Sequence, residues 1–203
     1  MYTDDLKKLI NTLNNSNIDY VLLENKFAEK INNYDFLIKN DDYVKIFEEC
    51  GLCKSNFKNK ESFWYGASKP RVWLLSNGDK VSVYRQIVVR SLTAGIWIPI
   101  DKVIQKSAFD NKLKTDFAND VYAFELCDLD KMIYIISKAV FTTKVFSGND
   151  ISFISEKIKE VDIEQLVYRL DKVFFKFTEK LMGHIKNGSF NQILYDYLRF
   201  KEY

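Results

Sequence analysis

The hydrophobic pattern of this 203-residue chain changes at Asp128. Before that residue, short runs rich in β-branched and aromatic residues alternate with short helical segments, whereas after it apolar residues recur at helical spacing. No Pro-, Gly- or Ser-rich linker separates the two parts, and at about 150 residues per domain the length allows one domain with a small addition. The pattern therefore predicts an α+β protein, with an α+β unit over residues 1–127 and a helical C-terminal unit over residues 128–203 packed on it.

The periodicity of the apolar residues predicts the order of the elements. A first helix carries Leu6 to Leu13, and a second starts near Asp42 and ends at Gly51. Two strands lie between them, over residues 18–23 and 34–38, joined by a polar loop over residues 24–32. Further strands are predicted over residues 62–65, 71–75, 80–89, 92–100 and 121–126, and further helices over residues 101–106, 129–143, 149–160, 163–186 and 189–201.

One turn is indicated by a specific residue pair. Asn77-Gly78 interrupts two extended runs, and an Asn-Gly pair favours a two-residue hairpin loop in which both central residues have a positive φ angle. The sequence therefore predicts an antiparallel hairpin at this point.

Charge and cysteine content exclude several classes of protein. The 30 basic and 28 acidic side chains leave a net charge of +2, so no long-range field attracts a long nucleic acid or an anionic membrane. The longest apolar clusters, residues 94–100 and 132–136, are far shorter than the roughly 20 residues of a membrane-spanning helix. Three cysteines make no disulfide framework, and the N-terminus resembles neither a signal nor a transit peptide, so we expect a cytoplasmic protein.

The second predicted strand contains the candidate site. Asn33 and Asp35 are two residues apart, so on a strand their side chains point to the same face, while Tyr34, Phe36 and Ile38 pack on the other. Oxygen ligands on a rigid strand suit magnesium, which completes its shell with water and with the phosphates of a nucleotide. The alternative is an acid that is simply hydrogen-bonded within the fold.

The segment Asn33-Tyr34-Asp35-Phe36-Leu37-Ile38, together with Val81-Ser82-Val83, resembles the motifs of the nucleotidyltransferase superfamily. The likeness covers roughly residues 1–160 and is greatest to small bacterial uncharacterised nucleotidyltransferases. It implies a mixed sheet with flanking helices and magnesium-dependent nucleotidyl transfer to a small hydroxylated, sugar-like acceptor. It also implies that Asn33, Asp35 and Ser82 occupy the catalytic positions, with Asn33 and Asp35 as metal ligands.

The motif departs from the family pattern at two of its three carboxylates. Asn33 stands in the first acidic place and Ser82 in the third, and a neutral serine cannot act as a base for an incoming hydroxyl. Asp79 is one candidate for the missing carboxylate. The alternative hypothesis is a catalytically degenerate module that binds a nucleotide or a protein partner without turnover.

Basic and aromatic residues alternate between Lys54 and Arg71. Within and after this stretch, Lys69, Arg71 and Arg85 are candidate phosphate contacts, and the aromatic rings could stack on a base or a sugar. The alternative is a solvated hairpin edge whose lysines discourage strand pairing.

Two further constellations have ordinary structural explanations. Cys50 and Cys53 have the spacing of a zinc knuckle, which Cys127 and the single histidine, His184, could complete, but buried free cysteines are the preferred interpretation. The aromatic C-terminal segment can be core or the contact of a homodimer; its members are Phe190, Tyr195, Tyr197, Phe200 and Tyr203.

Overall fold

The computed structural model describes residues 4–26, 32–55, 64–91, 95–118 and 120–199. Its α-helices are α1 (Asp4–Asn15), α2 (Tyr43–Glu49), α3 (Lys102–Asp110), α4 (Asp128–Ser137), α5 (Gly148–Lys157), α6 (Ile163–Phe174), α7 (Thr178–Lys186) and α8 (Phe190–Arg199). A π-helix (Lys138–Thr143) continues α4, and a 3₁₀-helix (Phe175–Phe177) joins α6 to α7. Among the helices of these ranges, none combines the length and the apolar character that crossing a bilayer requires.

Within the described ranges, one mixed sheet contains seven strands: β1 (Tyr20–Lys26), β2 (Asn33–Ile38), β3 (Cys53–Lys54), β4 (Arg71–Leu74), β5 (Lys80–Tyr84), β8 (Leu113–Ala118) and β9 (Val121–Glu125). Their order across the sheet is β3-β4-β5-β2-β1-β9-β8. The pairs β2–β5 and β1–β9 are parallel, and the others are antiparallel. A separate two-stranded sheet contains β6 (Val88–Arg90) and β7 (Trp97–Pro99).

The large sheet is covered on both faces. On one face, which we call the α1 face, Leu9 and Ile10 of α1 and Phe47 of α2 pack with Leu22 and Phe36 of the central strands. On the other, the α4 face, the sheet residues Val21, Leu23 and Leu37 share one core with α3, α4 and the helices that follow. Residues from both sides of position 128 therefore belong to a single hydrophobic cluster.

The predicted α+β class, with a mixed sheet and flanking helices, is confirmed. Several boundaries were wrong. The strand predicted to end at residue 23 continues to Lys26, the helical turn predicted over residues 101–106 is a helix that ends at Asp110, and strand β8 was not predicted. The run over residues 80–89 is divided between two sheets, and the helix over residues 163–186 is interrupted at Phe175, whose φ is 49°.

The hairpin between β4 and β5 is confirmed, but its loop differs from the prediction. The Gly78 amide donates to the Leu75 carbonyl, and the Leu75 amide donates to Asp79, so the loop has three residues. Gly78 has a φ of 85°, whereas Asn77 does not have a positive φ. This is a type I turn followed by a glycine in the left-handed region, which is the usual three-residue solution.

Helix α4 changes to π-helix geometry at Lys138. The segment ends at Lys144, which has a left-handed φ of 57° and donates its ammonium protons to the carbonyls of Val140 (2.7 Å) and Phe141 (2.6 Å). A π-turn carries one more residue than an α-turn and so changes the direction of the side chains around it. Lys138 stands at this change.

Candidate functional site

The two residues of the predicted motif lie on the α4 face of β2. Tyr34, Phe36 and Ile38 are buried on the α1 face, so alternation places Asn33 and Asp35 on the opposite side. The Asn33 side-chain amide donates to the Asp35 carboxylate at 2.9 Å. Asp35 is 4% exposed, so this acid is held inside the fold.

Glu24 is the site residue that the sequence did not reveal. Strand β1 contains a bulge: Leu22 pairs with Phe36, but Glu24 rather than Leu23 pairs with Asp35. Without the extra residue, Glu24 would share the α1 face with Leu22. The bulge turns Glu24 to the α4 face, directly opposite Asp35.

Ser82 completes the row of side chains on the other side of Asp35. It is the register partner of Asp35 on the parallel strand β5, and its hydroxyl donates to the Asn33 side-chain carbonyl at 3.3 Å. The structure therefore brings together the three predicted catalytic residues, Asn33, Asp35 and Ser82.

Helix α4 and its π-helical continuation cover these residues. The Lys138 ammonium contacts the Glu24 carboxylate. Burial raises the pKa of Tyr134 well above its ordinary value, and the negative charges of Asp35 and Glu24 raise it further. The Tyr134 phenol therefore keeps its proton, and it faces the two acids together with the Lys138 ammonium.

A cavity of about 830 Å³ lies beside Glu24 and within the usual size range of small-molecule sites, about 300 to 1,000 Å³. Strands β1 and β9, with Leu126 after β9, form one wall, and the rest is formed by α4, the π-helix, α5 and the loop residues Val145 and Ser147. The charged lining residues are Glu24, Lys138, Glu125, Lys131 and Asp150. We call Glu24 and Asp35 the acidic pair. Glu24 also belongs to the cavity wall, so it connects the acidic pair with the cavity.

The donor set at this face suits a hard divalent cation. Within the described ranges, no group of three or more acidic, histidine or cysteine side chains forms a metal site. Magnesium, however, is commonly bound by one or two carboxylates together with phosphate oxygens and water. Asp35, Glu24 and the Asn33 carbonyl oxygen are oxygen donors of that kind, so the residues present fit magnesium as part of a phosphate complex.

Asp79 has a different role from the one considered for it. Its carboxylate accepts hydrogen bonds from the Asn32 backbone amide (2.9 Å), the Asn32 side chain (3.0 Å) and the Asn77 side chain (2.9 Å). Asp79 stands three residues before Ser82, a distance of about 10 Å along a strand. Its hydrogen bonds tie the hairpin to Asn32, the residue that precedes Asn33.

The predicted phosphate contacts do not join the acidic pair. Arg71 binds Asp41 at 2.9 Å, and Arg85 contacts the same carboxylate, which lowers the pKa of Asp41. Arg71 pairs in register with Val83, whose side chain is buried on the α1 face, so Arg71 emerges on the face opposite to Asp35. Lys69 is exposed in the loop before β4.

The rest of the aromatic and basic stretch is only partly described. Phe57, Lys58, Lys60 and Phe63 lie outside the described residues. Trp64 stacks on Trp97 with ring centroids 4.9 Å apart, and Lys54 binds Glu48 at 3.0 Å. These contacts hold Trp64 and Lys54 against the protein, whereas Tyr65, next to Trp64, is exposed.

The cysteines and His184 are separate. Cys50 is buried, Cys127 is half-buried with its thiol 3.3 Å from Asp130, and Cys53 is exposed, contrary to the expected burial. His184 lies 2.9 Å from Asp196. Of the C-terminal aromatic residues, Phe190 and Tyr197 are core, Tyr195 is exposed, and Phe200 and Tyr203 lie outside the described ranges.

Comparison of the sequence with protein-family models and with curated proteins found no match. What the site does is therefore inferred from its own residues and from the resemblance of the Asn33–Ile38 segment.

Proposed function

We propose that this chain binds a nucleotide with magnesium at the Glu24–Asp35 pair and transfers the nucleotidyl group to a small hydroxylated, sugar-like acceptor. The observation that carries the proposal is the register of Glu24 with Asp35, which places two carboxylates side by side, with Glu24 at the wall of a ligand-sized cavity and Asp35 buried beside it. Bound magnesium would neutralise phosphate charge and hold the phosphates in position. Asp35, Glu24 and the Asn33 carbonyl oxygen would hold it.

The cavity provides the space for the acceptor. Its lining mixes charged and hydroxyl groups with apolar side chains, which suits a small polar compound that carries both hydroxyl and C–H surfaces. Ser147 and Asn149, which also line the cavity, add neutral hydrogen-bonding groups.

Glu24 supplies a carboxylate that Ser82 cannot. In the proposed step the acceptor oxygen forms a bond to the α-phosphorus while the bond from that phosphorus to the oxygen of the β-phosphate breaks. The acceptor's hydroxyl proton passes to the Glu24 carboxylate, and pyrophosphate leaves. Asp35 is buried and fixed by Asn33, which suits a ligand that stays in place through the reaction.

A second candidate function is nucleotide binding without turnover. It is favoured by the pairing of Ser82 with Asp35, because this is the position where the resembled family carries its third carboxylate. The same surface would then bind the nucleotide, or present it to a protein partner, without the chemical step.

Thermal-shift measurements with nucleoside triphosphates, with and without magnesium, test the binding that both candidates share. Ligand at 100 times its dissociation constant stabilises a protein by about 2.7 kcal/mol, so a magnesium-dependent rise in Tm is expected. Asp35→Asn, which keeps the shape of the side chain, should abolish the rise. Asp116→Asn, at an exposed position on the outer strand β8, is the matched control and should keep it.

Pyrophosphate release with a panel of sugar and polyol acceptors then separates the two candidates. Release that requires both an acceptor and Asp35 supports transfer. Binding without release favours the binding module. The absence of any magnesium-dependent shift would contradict both.

A further inference from the structure

We propose that Lys138 is the phosphate-binding residue of this site and that it exchanges Glu24 for the phosphates when a nucleotide binds. The proposal rests on the proposed function. It adds a residue that the sequence motif does not contain, and it explains how Glu24 can be ion-paired without a ligand and become available when a ligand binds.

Lys138 is placed for such an exchange. Its ammonium contacts Glu24, and both side chains line the cavity. The two side chains are 17% and 28% exposed, so the pair is partly shielded from water but open to a ligand that enters the cavity. The lysine lies at the first residue of the π-helix, one turn after Tyr134, which faces the same two acids.

The ion pair and a divalent cation compete for Glu24. While the ammonium lies on the carboxylate, a second positive charge at the same oxygens is repelled. A phosphate group removes the conflict because it offers the ammonium another anion, and Glu24 is then released to the cation. Lys138 should therefore weaken the binding of magnesium alone and strengthen the binding of magnesium with phosphates.

A lysine with only a structural role gives a different result. Its removal would lower stability and would change the two affinities in the same direction or leave both unchanged. The exchange is thus distinguished by two opposite changes in affinity when Lys138 is removed: tighter binding of magnesium alone and weaker binding of magnesium with phosphates.

The test uses the full chain and Lys138→Met, which keeps the aliphatic stem, with isothermal titration of magnesium chloride alone and of inorganic triphosphate with magnesium. We expect magnesium alone to bind at least tenfold more tightly than to the wild type, and magnesium triphosphate at least tenfold more weakly. Lys138→Arg, which keeps the positive charge, should restore triphosphate binding at least in part. Lys138→Gln is measured as well, in case the methionine variant folds poorly by circular dichroism.

Lys112→Met is the matched control. The Lys112 side chain is similarly shielded, at 19% exposed, and its ammonium contacts the Asp19 carboxylate, but it does not line the cavity. Both of its affinities should stay within twofold of the wild type. Two affinities that fall together in Lys138→Met, or that both stay within twofold, would overturn the exchange.

The two proposals fail in distinguishable ways. If the wild-type protein binds neither triphosphate nor nucleotide, the proposed function fails, and tighter binding of magnesium to Lys138→Met still shows that the lysine competes for Glu24. If the wild type binds magnesium triphosphate and Lys138→Met binds it equally well, the exchange fails and the proposed function stands.

Discussion

Glu24 and Asp35 lie directly opposite each other across the antiparallel pair of β1 and β2. Side chains in such positions have Cβ atoms about 4.5 to 5.5 Å apart, so two carboxylates face the same small volume. Their repulsion is reduced by different partners: the Asn33 amide donates to Asp35, and the Lys138 ammonium contacts Glu24. The acid with the charged partner is the one that lines the cavity, and this difference separates a fixed ligand from an exchangeable one.

The arginines bound to Asp41 should be dispensable for ligand binding. Arg71 and Arg85 converge on that carboxylate, and Arg71 emerges on the face opposite to Asp35. We expect Arg71→Ala and Arg85→Ala to leave the affinity for magnesium triphosphate within twofold of the wild type, as measured by isothermal titration, and exposed Lys69→Ala to behave in the same way. A tenfold loss of affinity, about 1.4 kcal/mol, in any of the three variants would indicate that the substituted residue contacts the phosphates.

Local patterns in the sequence predicted the parts of the site that depend on one strand. Asn33 and Asp35 share a face because side chains on a strand alternate, and the apolar residues between them show which face is buried. Helix spacing likewise placed α1 and most of the C-terminal helices, since each buries one stripe of apolar residues.

Glu24 and Lys138 could not be predicted in this way. Simple alternation along β1 gives Glu24 the wrong face, and only the pairing register with β2 shows the bulge. Lys138 reaches Glu24 from 114 residues away along the chain. The only signal in the sequence is an acid at the end of an apolar strand, and the tertiary contacts decide what it binds.

Stability at low pH should depend on Asp79. Burial would raise its pKa, but the hydrogen bonds from Asn32 and Asn77 outweigh that effect and hold the pKa below its ordinary value of 3.8. A carboxyl group whose pKa is lowered by folding stabilises the folded state at pH values above its ordinary pKa. That stabilisation is lost as the pH falls through the folded-state pKa. Asp79→Asn should therefore cost about 1 to 3 kcal/mol at pH 7 and progressively less below pH 4.

Urea denaturation of the wild type and Asp79→Asn at pH 7, 5 and 3 measures this difference. Asp116→Asn, an exposed position, should show little difference at any of these pH values. A cost of Asp79→Asn that is the same at pH 7 and pH 3 would show that the charge of Asp79 does not contribute.

The buried pair of Asp130 and Arg169 should be needed for the C-terminal helices to pack on α3. Asp130 is 1% exposed, contacts Arg169 of α6, and accepts a hydrogen bond from Ser107 of α3 at 2.7 Å. Arg169→Met leaves a buried carboxylate without its cation. We therefore expect it to lower the free energy of unfolding by about 3 to 5 kcal/mol.

Urea denaturation tests this cost. Lys176→Met, at an exposed position in the 3₁₀-helix, is the control and should change stability by less than about 0.5 kcal/mol. Adding Asp130→Asn to Arg169→Met should recover part of the loss because it removes the uncompensated charge. If Arg169→Met costs no more than Lys176→Met, the pair is not a stabilising contact.

Two glycines should respond to alanine with opposite signs. Gly78 has a φ of 85° in the β4–β5 loop, and Gly183 lies within α7, and at both positions an added Cβ would meet no atom within 4 Å. An added methyl group therefore has equal space at the two positions, which differ in their backbone conformation. Gly78→Ala forces an L-residue into the left-handed region and should cost about 1 to 2 kcal/mol, whereas Gly183→Ala should stabilise the helix by about 0.5 to 1 kcal/mol. Urea denaturation of the two variants beside the wild type measures both changes, and a shift of the same sign in both would contradict the assigned backbone of one of them.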